Sequence, residues 1–138
     1  MARSFTFRSV PFSYTVDHRR QRIHAVGAGR VGVTDLTAYI ASRVKDGVYD
    51  YDQIIDLSSA QLDVAPHEVI HIVKQARVHL SSKPIPFTAV VAHPGSVTFG
   101  LTRQLGTLFD FEGATVHIVE SVEAANAWID QMSVEPPG

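Results

Sequence analysis

The sequence predicts a single α/β domain, with a mostly parallel sheet of about five strands, an antiparallel N-terminal strand and about four helices. Its 138 residues suffice for one hydrophobic core but not for two. Apolar segments of strand length alternate along the chain with segments whose apolar residues recur at helical spacing. Two of the strand segments are apolar without alternation, which is typical of parallel strands covered on both faces. Right-handed crossovers are therefore expected between the parallel strands.

The N-terminal part of the chain predicts an antiparallel hairpin followed by a helix. Residues 12–17 and 22–27 are extended stretches, joined by a loop at residues 18–21. Thr34 then opens a helix that is predicted to continue to about Lys45. Its apolar residues share one face: Leu36, Tyr39, Ile40 and Val44.

The rest of the chain predicts three further pairs of a strand and a helix. The strands are expected at three places: residues 53–57, 87–92 and 115–119. Each is followed by a helix: residues 66–80, residues 96–109, and residues 121–132 with Ser121 as the cap. Residues 1–132 are therefore assigned to the domain, and residues 133–138 to a flexible C-terminal tail.

The composition excludes several classes of function. The chain has no cysteine, which excludes disulfides, thiolate metal sites and cysteine nucleophiles. A net charge of −2 and a pI of about 6.4 leave no basic field for nucleic acid. No apolar run reaches the roughly 18 residues of a membrane span, so stable membrane insertion is not expected. The N-terminal residues do not resemble a signal peptide, and a cytoplasmic location is therefore expected.

Residues 27–32 match the G-x-G-x-x-G pattern of dinucleotide-binding folds. The pattern follows a predicted strand, and Asp56 lies at the end of the next strand, where an acid would bind a ribose hydroxyl. However, the helix is predicted to begin after the third glycine, with Asp35 in its first turn, and this carboxylate would repel a pyrophosphate. We therefore interpret the segment as a strand-to-helix turn whose glycines need positive φ.

Residues 67–71 match the H-E-x-x-H pattern of zinc peptidases. The extended pattern fails because Lys74 and Arg77 stand where the glycine and the third histidine would be. Helical geometry also turns His67 and His71 away from the predicted buried face. No metal site or other cofactor is therefore predicted, and the two histidines are kept only as candidates for metal binding at the surface.

Polar residues follow two predicted parallel strands, at the sheet edge where open α/β folds bind ligands. Ser58 and Ser59 follow the first of these strands, and His93 and Ser96 follow the second. A Ser–His–Asp set can be drawn with Asp56, but the chain has no G-x-S-x-G elbow. Serines at such positions are more often turn residues and helix caps, so no catalytic residue is assigned.

Five segments occur in a distinctive order: GRVGVTDL at residues 29–36, YDQIIDL at 51–57, AVVA at 89–92, GLTR at 100–103, and EAANAWI at 123–129. In this order they resemble the bacterial SpoIIAA-like proteins, small domains related to the STAS fold of anti-sigma-factor antagonists. The likeness extends over about residues 12–131. It implies a STAS/SpoIIAA-like fold, in which the glycine segment joins a strand to a helix and does not bind a nucleotide.

The resemblance implies less about function. In true antagonists, a partner kinase phosphorylates a serine at the start of the helix after the buried strand, and the added charge switches partner binding. The comparable stretch here, residues 63–66, keeps an aspartate but has no hydroxyl, so the phosphoserine switch is not transferred. The candidates for ligand or partner binding are then six residues: Ser58, Ser59, Asp63, His93, Ser96 and Arg103.

Three functional hypotheses follow. The first is a non-catalytic regulatory or adaptor module that binds another protein or a second copy of itself, with Val78 among His67, His71 and Lys74 as a candidate contact edge. The second is a carrier of a small apolar ligand held beneath the helix at residues 96–109. That helix contains glycines that weaken it, and Phe99 would close the pocket. The third is a zinc- or dinucleotide-dependent enzyme.

Overall fold

The computed structural model describes residues 3–8, 12–78, 86–111 and 115–134. Within them the chain forms one six-stranded sheet, whose spatial order is the chain order β1 to β6. The strands are β1 (Arg3–Arg8), β2 (Phe12–Asp17), β3 (Arg22–Gly32), β4 (Asp52–Asp63), β5 (Phe87–Val91) and β6 (Thr115–Val119). The helices are α1 (Val33–Lys45), α2 (Pro66–Val78), α3 (Val97–Phe111) and α4 (Val122–Val134).

The predicted fold class is confirmed, and the sheet contains one strand more than the sequence indicated. The β1, β2 and β3 strands pair antiparallel, while β3 to β6 pair parallel. The additional strand is β1, which pairs with β2 from Arg3 opposite Asp17 to Arg8 opposite Ser13. Its alternating phenylalanines, Phe5 and Phe7, are the period-two signal that could have identified it.

Helices cover both faces of the sheet. On one face α4 places Ala125 and Ile129 against Ile54 of β4 and the apolar residues of β5. On the other face lie α1, α2 and α3, where Tyr39 of α1 packs on the hairpin and on Leu57. A further apolar cluster lies at the C-terminal ends of β3 and β4, where Val69, Ile72 and Ala76 of α2 pack against the sheet. None of the helices in the described ranges is both long and apolar enough to cross a membrane.

The glycine segment is a strand and not the turn that the sequence predicted. Strand β3 continues through Gly32, because residues 28–32 pair in parallel register with residues 59–63 of β4. Only Gly29 has positive φ there, at +73°. A side chain at Gly27 would meet Leu57 at 3.0 Å, so that glycine permits close packing.

The start of α1 differs in its capping residue from the prediction. The helix begins after the third glycine, as expected, but its N-cap is Gly32 rather than Thr34. The Asp35 carboxylate accepts a hydrogen bond from the Gly32 N–H at 2.9 Å, which places a negative charge where a nucleotide phosphate would have to lie.

Strand β4 is more than twice as long as predicted and contains a β-bulge. Val26 pairs with Asp56, but Ala28 pairs with Ser59, so β4 has one residue more than β3 in this interval. The bulge reverses the side-chain alternation: before it Leu57 faces the α1 side, and after it Leu62 does so, while Ser59 stays exposed. Ser58 and Ser59 therefore lie inside the strand and not in a loop after it, and Asp63 is its last residue.

The C-terminal helix agrees with the prediction at its start and extends beyond it at its end. The Ala124 N–H donates to the Ser121 side chain at 3.1 Å, which is the predicted cap. The helix ends at Val134, so it includes the first two residues of the segment assigned to the tail. Residues 135–138 lie outside the described residues.

Candidate functional site

Asp56 and Ser58 hydrogen-bond to each other at the bulge. The Ser58 Oγ donates to the Asp56 Oδ1 at 2.6 Å, and the Ser58 N–H donates to the same oxygen at 3.0 Å. The bond from the N–H satisfies a backbone donor at the irregular pairing, and the bond from the hydroxyl holds the Asp56 carboxylate there, so Asp56 supports the bulge. A serine nucleophile would need a hydrogen bond from its hydroxyl to a histidine such as His93. The Ser58 hydroxyl instead donates to Asp56.

His93 and Ser96 form the turn that begins α3. The Ser96 Oγ donates to the His93 carbonyl at 2.7 Å and accepts from the Phe99 N–H at 3.0 Å. Ser96 is therefore a helix cap, as serines after a strand often are. The His93 side chain is exposed.

The other predicted binding residues do not converge on one place. Asp63 lies five residues beyond Ser58 along β4, a distance of roughly 16 Å in an extended strand. It forms an exposed ion pair with Arg30 at 3.6 Å. Arg103 is exposed on α3, and no ion pair of Arg103 occurs among the described residues.

The H-E-x-x-H segment lies in the first two turns of α2. The Glu68 carboxylate accepts a hydrogen bond from the Ala65 N–H at 2.8 Å, so this glutamate caps the helix. His67 and His71 are both exposed, as their helical phase predicts. Within the described part of the chain, no group of three or more His, Asp or Glu side chains could hold a metal ion. Metal binding by the two histidines alone stays a prediction.

The outer face of α2 exposes an apolar side chain that the sequence analysis did not single out. Ile70 is 50% exposed, and it shares this face with His67, His71 and Lys74, which are also exposed. We call these four residues the α2 outer face. The Val78 side chain, which was predicted to belong to this edge, lies outside the described residues.

A cavity of about 120 Å³ lies between the sheet and helices α1, α2 and α3. Most of its lining is aliphatic, and Ile72 and Ala76 contribute the α2 side. On α3 its described lining residue is Thr102, and not Phe99 as the sequence analysis expected. An engineered apolar cavity of about 150 Å³ holds benzene, so this volume corresponds to a small organic molecule.

The polar side chains of Gln53 and Thr88, on the sheet side of the cavity, form hydrogen bonds within the protein. The Tyr39 hydroxyl donates to the Gln53 Oε1, and the Gln53 Nε2 donates to the Thr88 Oγ1 at 2.9 Å. Burial raises the pKa of Tyr39 to about 12, against a smaller opposing effect of the Arg43 charge. Tyr39 is therefore neutral at physiological pH, and this chain of hydrogen bonds carries no net charge.

Arg43 brings a buried positive charge to the same cavity. It is only 3% exposed, and its Nη2 donates to the Tyr49 carbonyl at 2.9 Å. The guanidinium carbon lies 4.3 Å from the centre of the Tyr49 ring and 5.3 Å from that of Tyr39. Its Nε has no hydrogen-bond partner among the described residues.

The inward position of Arg43 corrects the predicted face of α1. Val44 was expected to face the core, but it is 38% exposed, and Arg43 is buried instead. The signal in the sequence is spacing, because Arg43 follows Tyr39 by four residues and Ile40 by three. A positively charged residue near the end of a helix is ordinarily expected at the surface. The charge of Arg43 therefore argued against the buried position that its spacing indicated.

The fold belongs to the SpoIIAA-like class of α/β structures. It is similar to an uncharacterised protein of the DUF3478 family with a SpoIIAA-like fold from Shewanella loihica PV-4, at a TM-score of 0.58 and 12% identity over 94% of this chain and 98% of that chain. The anti-sigma factor antagonist SpoIIAA in its unphosphorylated form has a TM-score of 0.47 and 13% identity over 84% of this chain and 93% of that one. No protein-family model and no curated protein matches the sequence. The function must therefore be argued from the residues themselves.

Proposed function

We propose that this protein is a non-catalytic regulatory or adaptor module that binds another protein through the α2 outer face, without a phosphoserine switch. The observation that supports it is the exposure of Ile70, a large apolar side chain on a helix whose opposite face is buried. By helical phase, His67, His71 and Lys74 all lie on one side of Ile70, and the Lys74 methylenes add apolar surface next to it. An exposed apolar side chain bordered by polar ones is a common arrangement at a protein contact.

The charge of this face favours a partner of defined chemistry. Lys74 provides a positive charge one turn from Ile70. The partner is therefore expected to present an apolar pocket with an acidic rim. A second copy of this chain would have to meet the same positive face, which disfavours a symmetric contact there.

The experiment compares Ile70→Glu with Val44→Glu. Both residues are exposed and apolar and lie on helices, but Val44 lies on α1, outside the α2 outer face. A partner isolated with the wild-type chain is purified and titrated calorimetrically with all three proteins. Ile70→Glu should weaken binding by about tenfold or more, because it introduces an unpaired charge at the centre of the contact. Val44→Glu should bind like the wild type.

Circular dichroism and melting temperature show whether the variants are folded, and sedimentation velocity shows whether the chain associates with itself. Equal partner affinity for wild type and a folded Ile70→Glu would refute the proposal. If the wild type associates with itself and Ile70→Glu does not, the α2 outer face is still the contact surface, but its partner is a second copy of this chain.

A second candidate function is that of a carrier or receptor for a small ligand, and the cavity beside α1, α2 and α3 favours it. Toluene is a suitable probe because its volume is close to that of benzene. Toluene should shift the amide resonances of cavity-lining residues in a ¹⁵N-labelled sample and raise the melting temperature. Ala76→Leu, which fills the cavity from α2, should prevent both effects. Ala124→Leu on the exposed side of α4 is the control.

A further inference from the structure

Arg43 is a buried cation whose positive charge is incompletely compensated. Burying an ion costs several kcal/mol unless an opposite charge and hydrogen bonds replace its hydration. A guanidinium has five N–H donors, yet one hydrogen bond of Arg43 is formed among the described residues, to the Tyr49 carbonyl. No carboxylate in the described part of the chain lies within 4.0 Å of it.

The two tyrosines beside Arg43 do not supply the missing charge. Their rings attract the guanidinium through their π faces, which is a weaker interaction than an ion pair. Their hydroxyls are used elsewhere, because Tyr39 donates to Gln53 and Tyr49 donates to the Ala76 carbonyl at 2.8 Å. Burial raises the pKa of both hydroxyls, so neither is an anion at neutral pH.

The rest of the cavity is suited to an apolar molecule. Most of its lining is aliphatic, and the polar side chains of Gln53 and Thr88 are hydrogen-bonded to each other. Arg43 is therefore the group of the lining that most lacks a partner. A ligand that satisfies both parts of the cavity needs an apolar body and an anionic acceptor at one end. The volume of about 120 Å³ limits that body to about the size of one aromatic ring.

We infer that the cavity binds a small monocarboxylic acid, of the size of benzoate or hexanoate, whose carboxylate accepts hydrogen bonds from the Arg43 guanidinium. A carboxylate matches the planar fork of arginine, and this pairing is stronger in a buried site than at the surface. This inference rests on the second candidate function and adds the class of the ligand. It is independent of the α2 outer face.

The test uses three probes of similar shape with the full chain at pH 7. Benzoate has the anionic group, benzamide is its neutral counterpart, and toluene has the apolar ring alone. Binding is followed by ¹⁵N–¹H NMR titration. The wild type should bind benzoate about tenfold or more tightly than benzamide or toluene.

Variants at two arginines identify the residue responsible. Arg43→Met should weaken benzoate binding by about tenfold or more and leave toluene binding unchanged, since it removes the charge and keeps the apolar stem. Arg43→Lys should bind benzoate with intermediate affinity because it keeps the charge without the fork. Arg19→Met, at an exposed arginine of the turn between β2 and β3, is the control and should bind all probes like the wild type.

The outcomes separate this inference from the function on which it rests. Toluene binding as tight as benzoate binding in the wild type would overturn the role of Arg43 and leave a carrier of apolar ligands. Failure of all three probes to bind the wild type would overturn both. If Arg43→Met does not fold, the inference is tested by comparing benzoate with benzamide in the wild type and in Arg43→Lys. Equal affinity for the two probes in the wild type would overturn it.

Discussion

Thr98 on α3 hydrogen-bonds to the backbone of Leu62 on β4. The Leu62 N–H donates to the Thr98 Oγ1 at 3.1 Å, and that hydroxyl donates to the Ala60 carbonyl at 3.3 Å. Strand β5 ends at Val91, which pairs with Asp56, so within the described residues the last part of β4 has no neighbouring strand on this side. The Thr98 side chain takes the place of that strand and satisfies backbone groups that would otherwise be buried without partners.

Replacing Thr98 by valine should therefore destabilise the protein. Thr98 is 6% exposed, and the loss of its hydroxyl leaves a buried N–H unsatisfied at a cost of about 1–3 kcal/mol. Urea unfolding of wild type and Thr98→Val measures the difference. Thr98→Ser keeps the hydroxyl and should recover most of the loss. Equal stability of wild type and Thr98→Val would show that Leu62 needs no partner.

Alanine substitutions at two glycines should change stability in opposite directions. At Gly27 a Cβ would lie 3.0 Å from Leu57 and 3.3 Å from Val31, so Gly27→Ala should cost about 1–3 kcal/mol through overpacking. At Gly100, an exposed site within α3, nothing lies within 4 Å of a Cβ. Gly100→Ala should stabilise the protein by about 0.5–1 kcal/mol because it favours the helix. Chemical denaturation of both variants checks the two signs.

Asp130 should contribute stability that depends on pH. Hydrogen bonding to Arg22 at 2.8 Å, with the charge of Arg20 nearby, lowers the pKa of Asp130 below its ordinary value. A carboxyl whose pKa is lower in the folded state stabilises that state above its unfolded pKa of about 3.9 and loses this contribution as the pH falls further. Asp130→Asn should therefore be less stable than wild type at pH 7, and the difference should shrink below about pH 4.

The control for this pH dependence is Asp63→Asn. Asp63 forms a longer ion pair of 3.6 Å with Arg30, and both side chains are largely exposed. Such surface pairs contribute little, so at pH 7 Asp63→Asn should change the free energy of unfolding far less than Asp130→Asn does. A constant difference between wild type and Asp130→Asn from pH 3 to 7 would contradict the ion pair with Arg22.

Tyr39 should make the folded state lose stability in alkaline solution. Its pKa is about 12 in the folded protein, because burial disfavours the phenolate, whereas an unfolded tyrosine ionises near pH 10. A group with a raised pKa stabilises the fold below its unfolded pKa, and this contribution disappears as the pH rises from about 10 to 12. The free energy of unfolding should fall more steeply over this range for wild type than for Tyr39→Phe. Parallel curves would show that Tyr39 has the same pKa in the folded and unfolded states.

The sequence predicted the architecture well because its signals there are local. Apolar residues at helical spacing located all four helices, and the unbroken apolar runs at Ile54 and Val90 located the inner parallel strands. Pro66 and Ser121 marked helix starts by capping chemistry that depends on neighbours in the chain alone. These features need no knowledge of which distant segments pair.

The predictions that failed depend on contacts between distant residues. The glycine segment became a strand because Ser59 and Gln61 pair with it from β4, and polar residues of this kind had been assigned to a loop. Alternation of Ala60 and Leu62 with those polar residues was a visible signal for a longer strand. A pocket beneath the helix at residues 96–109 was predicted, but its lining was not, because three helices and the sheet together form its walls.

The bulge at Leu57 and Ser58 fixes the number of residues that β4 must have. This requirement is separate from the question of which residues stand there. The single additional residue of the bulge is what keeps Leu62 in the core and Gln61 outside it. Deletion of one residue here would exchange the two faces for the rest of the strand and turn Asp63 inward. Substitutions at Ser58 or Ser59 leave this phase unchanged. Evolutionary drift in this segment is therefore expected to conserve the number of residues more strictly than the identity of Ser58 or Ser59.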